Sequence, residues 1–380
     1  MSDVMSSNES VKKIAPWLEP IWDGMNLAAF PNAVLIHGQS GIGKFAFSIE
    51  LAKALLCENN DQSIKPCNKC EACHWFDTGN HPDFISLVPE THRKLLPHAD
   101  YEGEDAPKRG KAARDDDSES SEKKEKKNIS IEETRHAIEN LSIGSHRGGN
   151  RVILIYPLEM LRSDSANTLL KSLEEPPKNT IFILLADRVD RVLPTIRSRC
   201  RLLTAPRPNR EQGISWLKTQ LNGIAGLKAA AADMETIYDE QGGAPYSVLS
   251  SLIARHNKDD KDELTISIQA SRYLLQSMAQ GARLNWLDAA EKTHKAQYGF
   301  LLASMQRWVS DLQSVAQGGE PRYYPKHLVV LQGLAKLANV QRLHNFWKSL
   351  VQARRHENHP LANKIQLESL LSQYQQIFGP

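Results

Sequence analysis

The feature that most constrains this chain is the run Gly38-Gln39-Ser40-Gly41-Ile42-Gly43-Lys44, set directly after the apolar stretch Ala33–His37. Ala33–His37 reads as a short buried strand, and from about Lys44 to Cys57 the pattern turns helical. A strand, a glycine-rich turn and a helix in that order can cradle phosphate. Backbone N–H groups of the turn converge on anionic oxygens, and the helix N-terminus adds partial positive charge. Lys44 is placed to reach the β and γ phosphates of a nucleotide. The alternative is a glycine-rich turn that holds no ligand. Phe45 gives that alternative weight, because a Ser or Thr hydroxyl ordinarily follows the lysine and ligates Mg²⁺.

Beyond the turn, strand-like and helix-like segments alternate. Ser130–Leu141 reads as a helix with a capping box of Ser130 and Glu133. Arg151–Tyr156 is a second buried strand, and Ser163 caps a helix that runs to Glu174 and stops before Pro176-Pro177. Thr180–Leu185 is a third strand, Arg191–Arg197 a short helix and Cys200–Leu203 a fourth strand. Such alternation implies βαβ units and a mostly parallel, doubly wound sheet. After Ala205–Pro208 the character changes, and from Glu211 onward only helical periodicity remains, broken at Gly242-Gly243, Gly281, Gly318-Gly319 and His359-Pro360. The expected fold is α/β followed by all-α.

An ATPase needs an acidic pair at the end of its next core strand. Arg151–Tyr156 ends instead in Tyr156-Pro157, with Glu159 displaced onto the following loop. Phosphoryl transfer rests on positioning and on charge around the metal, so losing these ligands together with the hydroxyl at position 45 predicts no useful turnover. ATP or ADP binding stays open; hydrolysis is not expected.

Cys57, Cys67, Cys70 and Cys73 fall within 17 residues. The Cys-x-x-Cys-x-x-Cys run brings three thiolates to one ion, and Cys57, at the end of the helix after the glycine turn, supplies a fourth. Tetrahedral, closed, structural zinc is the reading that spacing favours over disulfides in a reducing compartment. His74 and His81 lie close enough to substitute. In small modules such zinc is worth roughly 10–16 kcal/mol, comparable with a whole domain's stability. Cys200 stands apart as a buried core thiol.

The 380 residues suggest roughly two to three domains. The segment Tyr101–Lys127 carries nine acidic and eight basic residues and almost nothing to bury, so it reads as a disordered insertion, with outer limits at about 91–128. The whole chain has a formal charge of +2; without the insertion it would be about +3, obtained as +2 minus (8 − 9). Neither value suits a protein that coats nucleic acid by charge alone. No apolar run approaches the ~20 residues of a membrane span, and no apolar signal core follows the start, so a soluble cytoplasmic protein is expected. The division is residues 1–205 with a zinc module at 57–73, then 206–258 and 259–380, both helical.

Ser198-Arg199-Cys200 sits where the short helix meets the last strand. From local sequence alone, Arg199 reads as a surface salt-bridge residue. Several motifs taken together nevertheless resemble the clamp-loader branch of AAA+ proteins, and within it the delta-prime family of bacterial DNA polymerase III subunits. They are the cysteine cluster after a phosphate loop, Asn80-His81-Pro82-Asp83, and the run Ala166-Asn167-Thr168-Leu169-Leu170-Lys171 with Leu173-Glu174-Glu175-Pro176-Pro177. Ser198-Arg199-Cys200 and the opening Pro16-Trp17-Leu18 complete the set. The likeness covers about residues 14–255. Beyond them it is loose, resting on helical character and the closing His359-Pro360-Leu361, Lys364 and Leu367-Glu368. It implies an AAA+ domain, a helical lid and a helical collar, with Gly38, Gly41, Gly43 and Lys44 forming a degenerate nucleotide loop. The lid motif resembles Gly243-Ala244-Pro245-Tyr246, so Tyr246 stands where motor subunits carry an arginine. The resemblance further implies that Arg199 acts in trans as an arginine finger on a neighbouring ATPase. The implied partners are gamma/tau and delta subunits in a hetero-pentamer that places a sliding clamp on primed DNA.

Two other classes compete with this reading. One is an active AAA+ ATPase that uses an unusual ligand such as Glu159. The other is a zinc-dependent DNA reader built on Cys57–Cys73, a segment whose only cations are Lys65 and Lys69.

Overall fold

A computed structural model describes residues 14–89, 145–161, 163–224, 233–257, 263–357 and 363–379, with isolated positions from 93 to 137. The charged insertion, the motif at His359-Pro360-Leu361 and all but isolated positions of the helix expected at Ser130–Leu141 lie outside these residues. The chain divides into two compact units, residues 1–207 and 208–380.

The first unit is built on a five-stranded sheet: β1 Ala33–His37, β2 Phe84–Leu87, β3 Arg151–Ile155, β4 Thr180–Ala186 and β5 Arg201–Thr204. Their order is β2-β3-β4-β1-β5, and every pairing is parallel. Leu35 lies between Leu184 of β4 and Leu202 of β5. Parallel strands covered on both faces can be apolar throughout rather than alternating. Accordingly β3 and β4 are buried along their whole length.

One face presents Leu35, Ile153, Ile155, Phe182 and Leu184 to Leu169 and Leu173 of the helix Ser163–Glu174 and to Ile196. Neighbouring residues on each strand point the other way, and there the helix Lys44–Leu56 packs on β3 and β4. Edge strand β5 is largely exposed.

Four strands are expected from the sequence and five are present. The addition, β2, is only four residues long, and the helix Glu71–Asp77 is equally unannounced. Elements this short do not complete a readable period. The helix expected at Arg191–Arg197 is two separate turns, Val189–Arg191 and Pro194–Arg197. Proline has no N–H to continue a preceding turn and is suited to begin a helix, so the second turn starts at Pro194. The last strand begins at Arg201, which leaves Cys200 just before it, half-buried rather than buried.

The second unit is helical throughout. Arg210–Asn222 opens with a capping box of Asn209 and Gln212. Met234–Glu240 and Pro245–Asn257 follow, separated by Gly242 and Gly243 at φ of 71° and 74°, where left-handed backbone ends the helix at little steric expense. Leu217, Ile237, Val248 and Leu252 are buried among these helices. Helices from Glu263–Met278 to Asn363–Gln376 enclose another core around Trp308, whose indole N–H donates to the Tyr374 hydroxyl at 2.9 Å. Among the described residues, no helix is long and apolar enough to cross a membrane.

Candidate functional site

The glycine run connects β1 to the helix Lys44–Leu56, as the pattern predicts. Gly41 and Gly43 take φ of 74° and 93°, conformations in which a Cβ is strained. A Cβ on Gly38 would lie 2.8 Å from the Ala205 carbonyl oxygen, so the loop lies tightly against the chain leaving β5. The buried Trp17 indole donates to Ile42 O at 2.9 Å and fixes the outer side of the turn.

Lys44 is 3% exposed, and its ammonium is fully engaged. It donates to Gly38 O at 3.0 Å, to Gln39 O at 2.7 Å and to Asp187 Oδ1 at 2.6 Å. Asp187 follows β4 directly. Sequence reasoning missed it, although ligand-facing residues in open α/β sheets gather beyond the carboxyl ends of strands, where it stands. Phe45, at the hydroxyl position, packs against Tyr156 with ring centroids 5.2 Å apart. Glu159 lies in the turn Leu158–Met160 and accepts from the Arg188 backbone N–H. Burial, with the Asp187 charge adding, pushes its carboxyl above the usual range. His37, at the end of β1, is held below its ordinary value by burial and then by the Lys44 charge, so it is neutral near pH 7.

The cysteine sulfurs of Cys57, Cys67, Cys70 and Cys73 all lie within 4.8 Å of one another. Cys57 and Cys70 are 3.9 Å apart, close to the ~3.8 Å that a tetrahedral ion with 2.3 Å bonds to sulfur requires. No disulfide joins them. The Lys69 backbone N–H draws the Cys67 thiol down to about 6, whereas burial pushes the Cys57 and Cys73 thiols up. The group could therefore hold a metal ion.

Lys53, buried in the helix before Cys57, donates to Asn68 Oδ1 at 2.6 Å and to the Asp77 carboxylate at 2.7 Å, tying the cysteine loop to both flanking helices. The histidines stand outside the sulfur cluster. His74 is exposed, and the Nδ1 of buried His81 accepts from Asp83 N at 3.2 Å. Asp83 in turn accepts from the backbone of His146 and Arg147, and Arg147 lies over the Trp75 ring at 4.4 Å. Neither Lys53 nor Asp83 carries a motif that would have singled out its partners.

Arg199 follows the helix Pro194–Arg197 with 34% of its side chain exposed. Its guanidinium donates from Nη1 to Thr195 O at 2.8 Å and from Nη2 to the Glu174 carboxylate. Glu174 is the last residue of the helix Ser163–Glu174. In the second unit, Tyr246 stacks on Trp216 with centroids 4.5 Å apart, so its ring is used in packing.

A parallel sheet with strand order β2-β3-β4-β1-β5, a glycine loop after β1 and a cysteine module behind the following helix make this an α/β domain with the layout of a phosphate-loop protein. Residues 24–209 match the protein family described as "DNA polymerase III, delta subunit". The DNA polymerase III delta-prime subunits of Pseudomonas aeruginosa and Escherichia coli are each 29% identical to this chain. These matches cover 61% and 54% of it and 59% and 53% of their own lengths. Over these residues the chain is similar to DNA polymerase III clamp-loader subunits and is delta-prime-like. The matches span little more than half the length of these relatives. A solved gamma-subunit-related protein of Thermotoga maritima is 14% identical, with a TM-score of 0.39 over 95% of this chain and 99% of its own.

Proposed function

We propose that the chain serves as the delta-prime-type subunit of a clamp loader, hydrolysing no nucleotide itself and lending Arg199 to a neighbouring ATPase subunit. The observation that carries this reading is the contrast between the two cations. Lys44 is buried and spent on Asp187 and two loop carbonyls, whereas Arg199 is held at the surface on two short supports.

In-line phosphoryl transfer needs a cation coordinated beside the β and γ phosphates and a group that orients the attacking water. Here the metal-side position is filled by the Phe45–Tyr156 pair, Asp187 is committed to Lys44, and Glu159 is turned onto an amide and resists ionisation. These contacts also speak against the rival reading of an active ATPase working through Glu159. ADP or ATP could enter the loop only by displacing Asp187 from Lys44.

An arginine supplied from outside needs none of this machinery. Its planar charge stabilises negative charge developing on a γ-phosphate across a subunit boundary, an effect worth about 10³–10⁵ in rate. The assembly proposed for it is a cytoplasmic hetero-pentamer with gamma/tau and delta subunits that opens a sliding clamp and sets it on primed DNA. The cysteine module is proposed to hold structural zinc, which would supply a closed tetrahedral cross-link with no reactive position.

The test is reconstitution with the partner subunits. Arg199→Ala is expected to depress DNA-stimulated ATP hydrolysis, Lys44→Ala to leave it nearly unchanged, and the isolated chain to show none. Hydrolysis by the isolated chain that Lys44→Ala abolishes would refute the reading.

A further inference from the structure

We propose that Glu174 is the positioning residue of Arg199: it fixes the guanidinium at the angle from which it reaches a neighbouring subunit's nucleotide. The inference rests on the arginine-finger reading above and deepens it. Arginine at a surface has a long stem with many rotamers, and a finger that acts across a subunit boundary must be ordered before the partner's phosphate arrives. Arg199 meets acceptors from two elements. Thr195 O, within the short helix Pro194–Arg197, takes Nη1 at 2.8 Å, and the carboxylate of Glu174, at the end of a twelve-residue helix, takes Nη2. The two helices pack against each other, and Pro176-Pro177 prevents the longer one from continuing past its carboxylate.

Both acceptors sit on the terminal nitrogens, with Ser198 Oγ a longer contact on Nη1 at 3.4 Å, so that among the described residues Nε and the remaining Nη2 proton have no acceptor. A guanidinium has five donors in a rigid fork, so one edge can be braced while another engages an anion. Glu174 is 49% exposed, and ion pairs so open to water contribute little to stability. Orientation is what such a pair supplies best.

The test uses the reconstituted complex of the full chain with its ATPase partners, comparing wild type, Glu174→Ala, Glu174→Gln, Arg199→Ala and the Glu174→Ala/Arg199→Ala double variant. Expected are an unchanged melting temperature and assembly for Glu174→Ala. The turnover attributable to the adjacent site should fall roughly tenfold, with little change in KM for ATP. Glu174→Gln, which retains an acceptor oxygen, should recover part of the loss, and Glu174→Ala should have no further effect in the Arg199→Ala background. Loss with Arg199→Ala but full turnover with Glu174→Ala would overturn this inference and leave the finger reading standing. Raised turnover with Glu174→Ala would overturn it as well, marking Glu174 as a residue that withholds the arginine. Unchanged turnover with Arg199→Ala would overturn the finger reading and this inference together.

Discussion

The phosphate loop, which follows β1, and the arginine corner, which precedes β5, lie at opposite ends of the same parallel sheet, and they treat their one cation in opposite ways. At the loop, Lys44 is drawn inward until its three donors meet two carbonyls and Asp187. At the corner, Arg199 remains a third exposed, with one carbonyl and one open carboxylate beneath it. A charge that is desolvated needs every donor satisfied, because each orphaned one is penalised in low dielectric. A charge left in water can keep donors in reserve. The loop thus resembles a site converted into structure, while the corner keeps its cation in contact with water.

The largest expected effect falls on the loop side. The cysteine module begins where the loop's helix ends, at Cys57, and bound zinc in such modules contributes roughly 10–16 kcal/mol. Chelation or Cys67→Ser should abolish amide-exchange protection across residues 57–77 and leave β4, β5 and the arginine corner protected. Loss of protection at both would break the separation between the two regions. Next in size is Arg199→Ala, which should remove about 10³-fold or more of the hydrolysis at the adjoining site without lowering the chain's own melting temperature.

The two ion pairs themselves sharpen the comparison. Asp187→Ala strands a buried ammonium and should destabilise by about 3–5 kcal/mol in denaturant unfolding. Glu174→Ala, at an exposed pair, should change stability by at most about 1 kcal/mol. Equal values would mean that exposure does not distinguish the regions.

A more gradual effect follows pH. Burial raises the Asp83 carboxyl, but N–H groups of His146 and Arg147, the Ser145 hydroxyl and the Arg151 charge outweigh it and hold the group below its ordinary range. A depressed folded value stabilises above the unfolded pKa of about 3.9, and that contribution is lost as pH falls through the lower folded value. Melting temperatures should therefore drop below about pH 4, and Asp83→Asn should flatten that decline while lowering stability at pH 7.

Much of the first unit was legible in the sequence because parallel strands buried on both faces announce themselves as unbroken apolar runs. Ala33–His37, Arg151–Ile155 and Thr180–Ala186 are of that kind. Phe84–Leu87 was not, since four residues at a sheet edge carry no period, and the turn at Pro194 was hidden inside a stretch that looked continuously helical. The gathering of the four cysteines was readable by spacing alone, because thiols so close in sequence meet within local chain reach. Their tether through Lys53 and Asn68 was not.

By itself the sequence determined the kinds of groups present: a glycine loop with Phe45 after its lysine, four closely spaced cysteines, and an arginine at an element boundary. Those facts follow from residue chemistry and local spacing. Only the tertiary structure decided their partners. Asp187 lies 143 residues from Lys44 and Glu174 lies 25 from Arg199, and nothing in either segment encodes those meetings locally. They arise because parallel crossovers bring the ends of β1 and β4 side by side and set the helix before β4 against the turn before β5. Burial then decides which cation is enclosed by the fold and which stays at the surface.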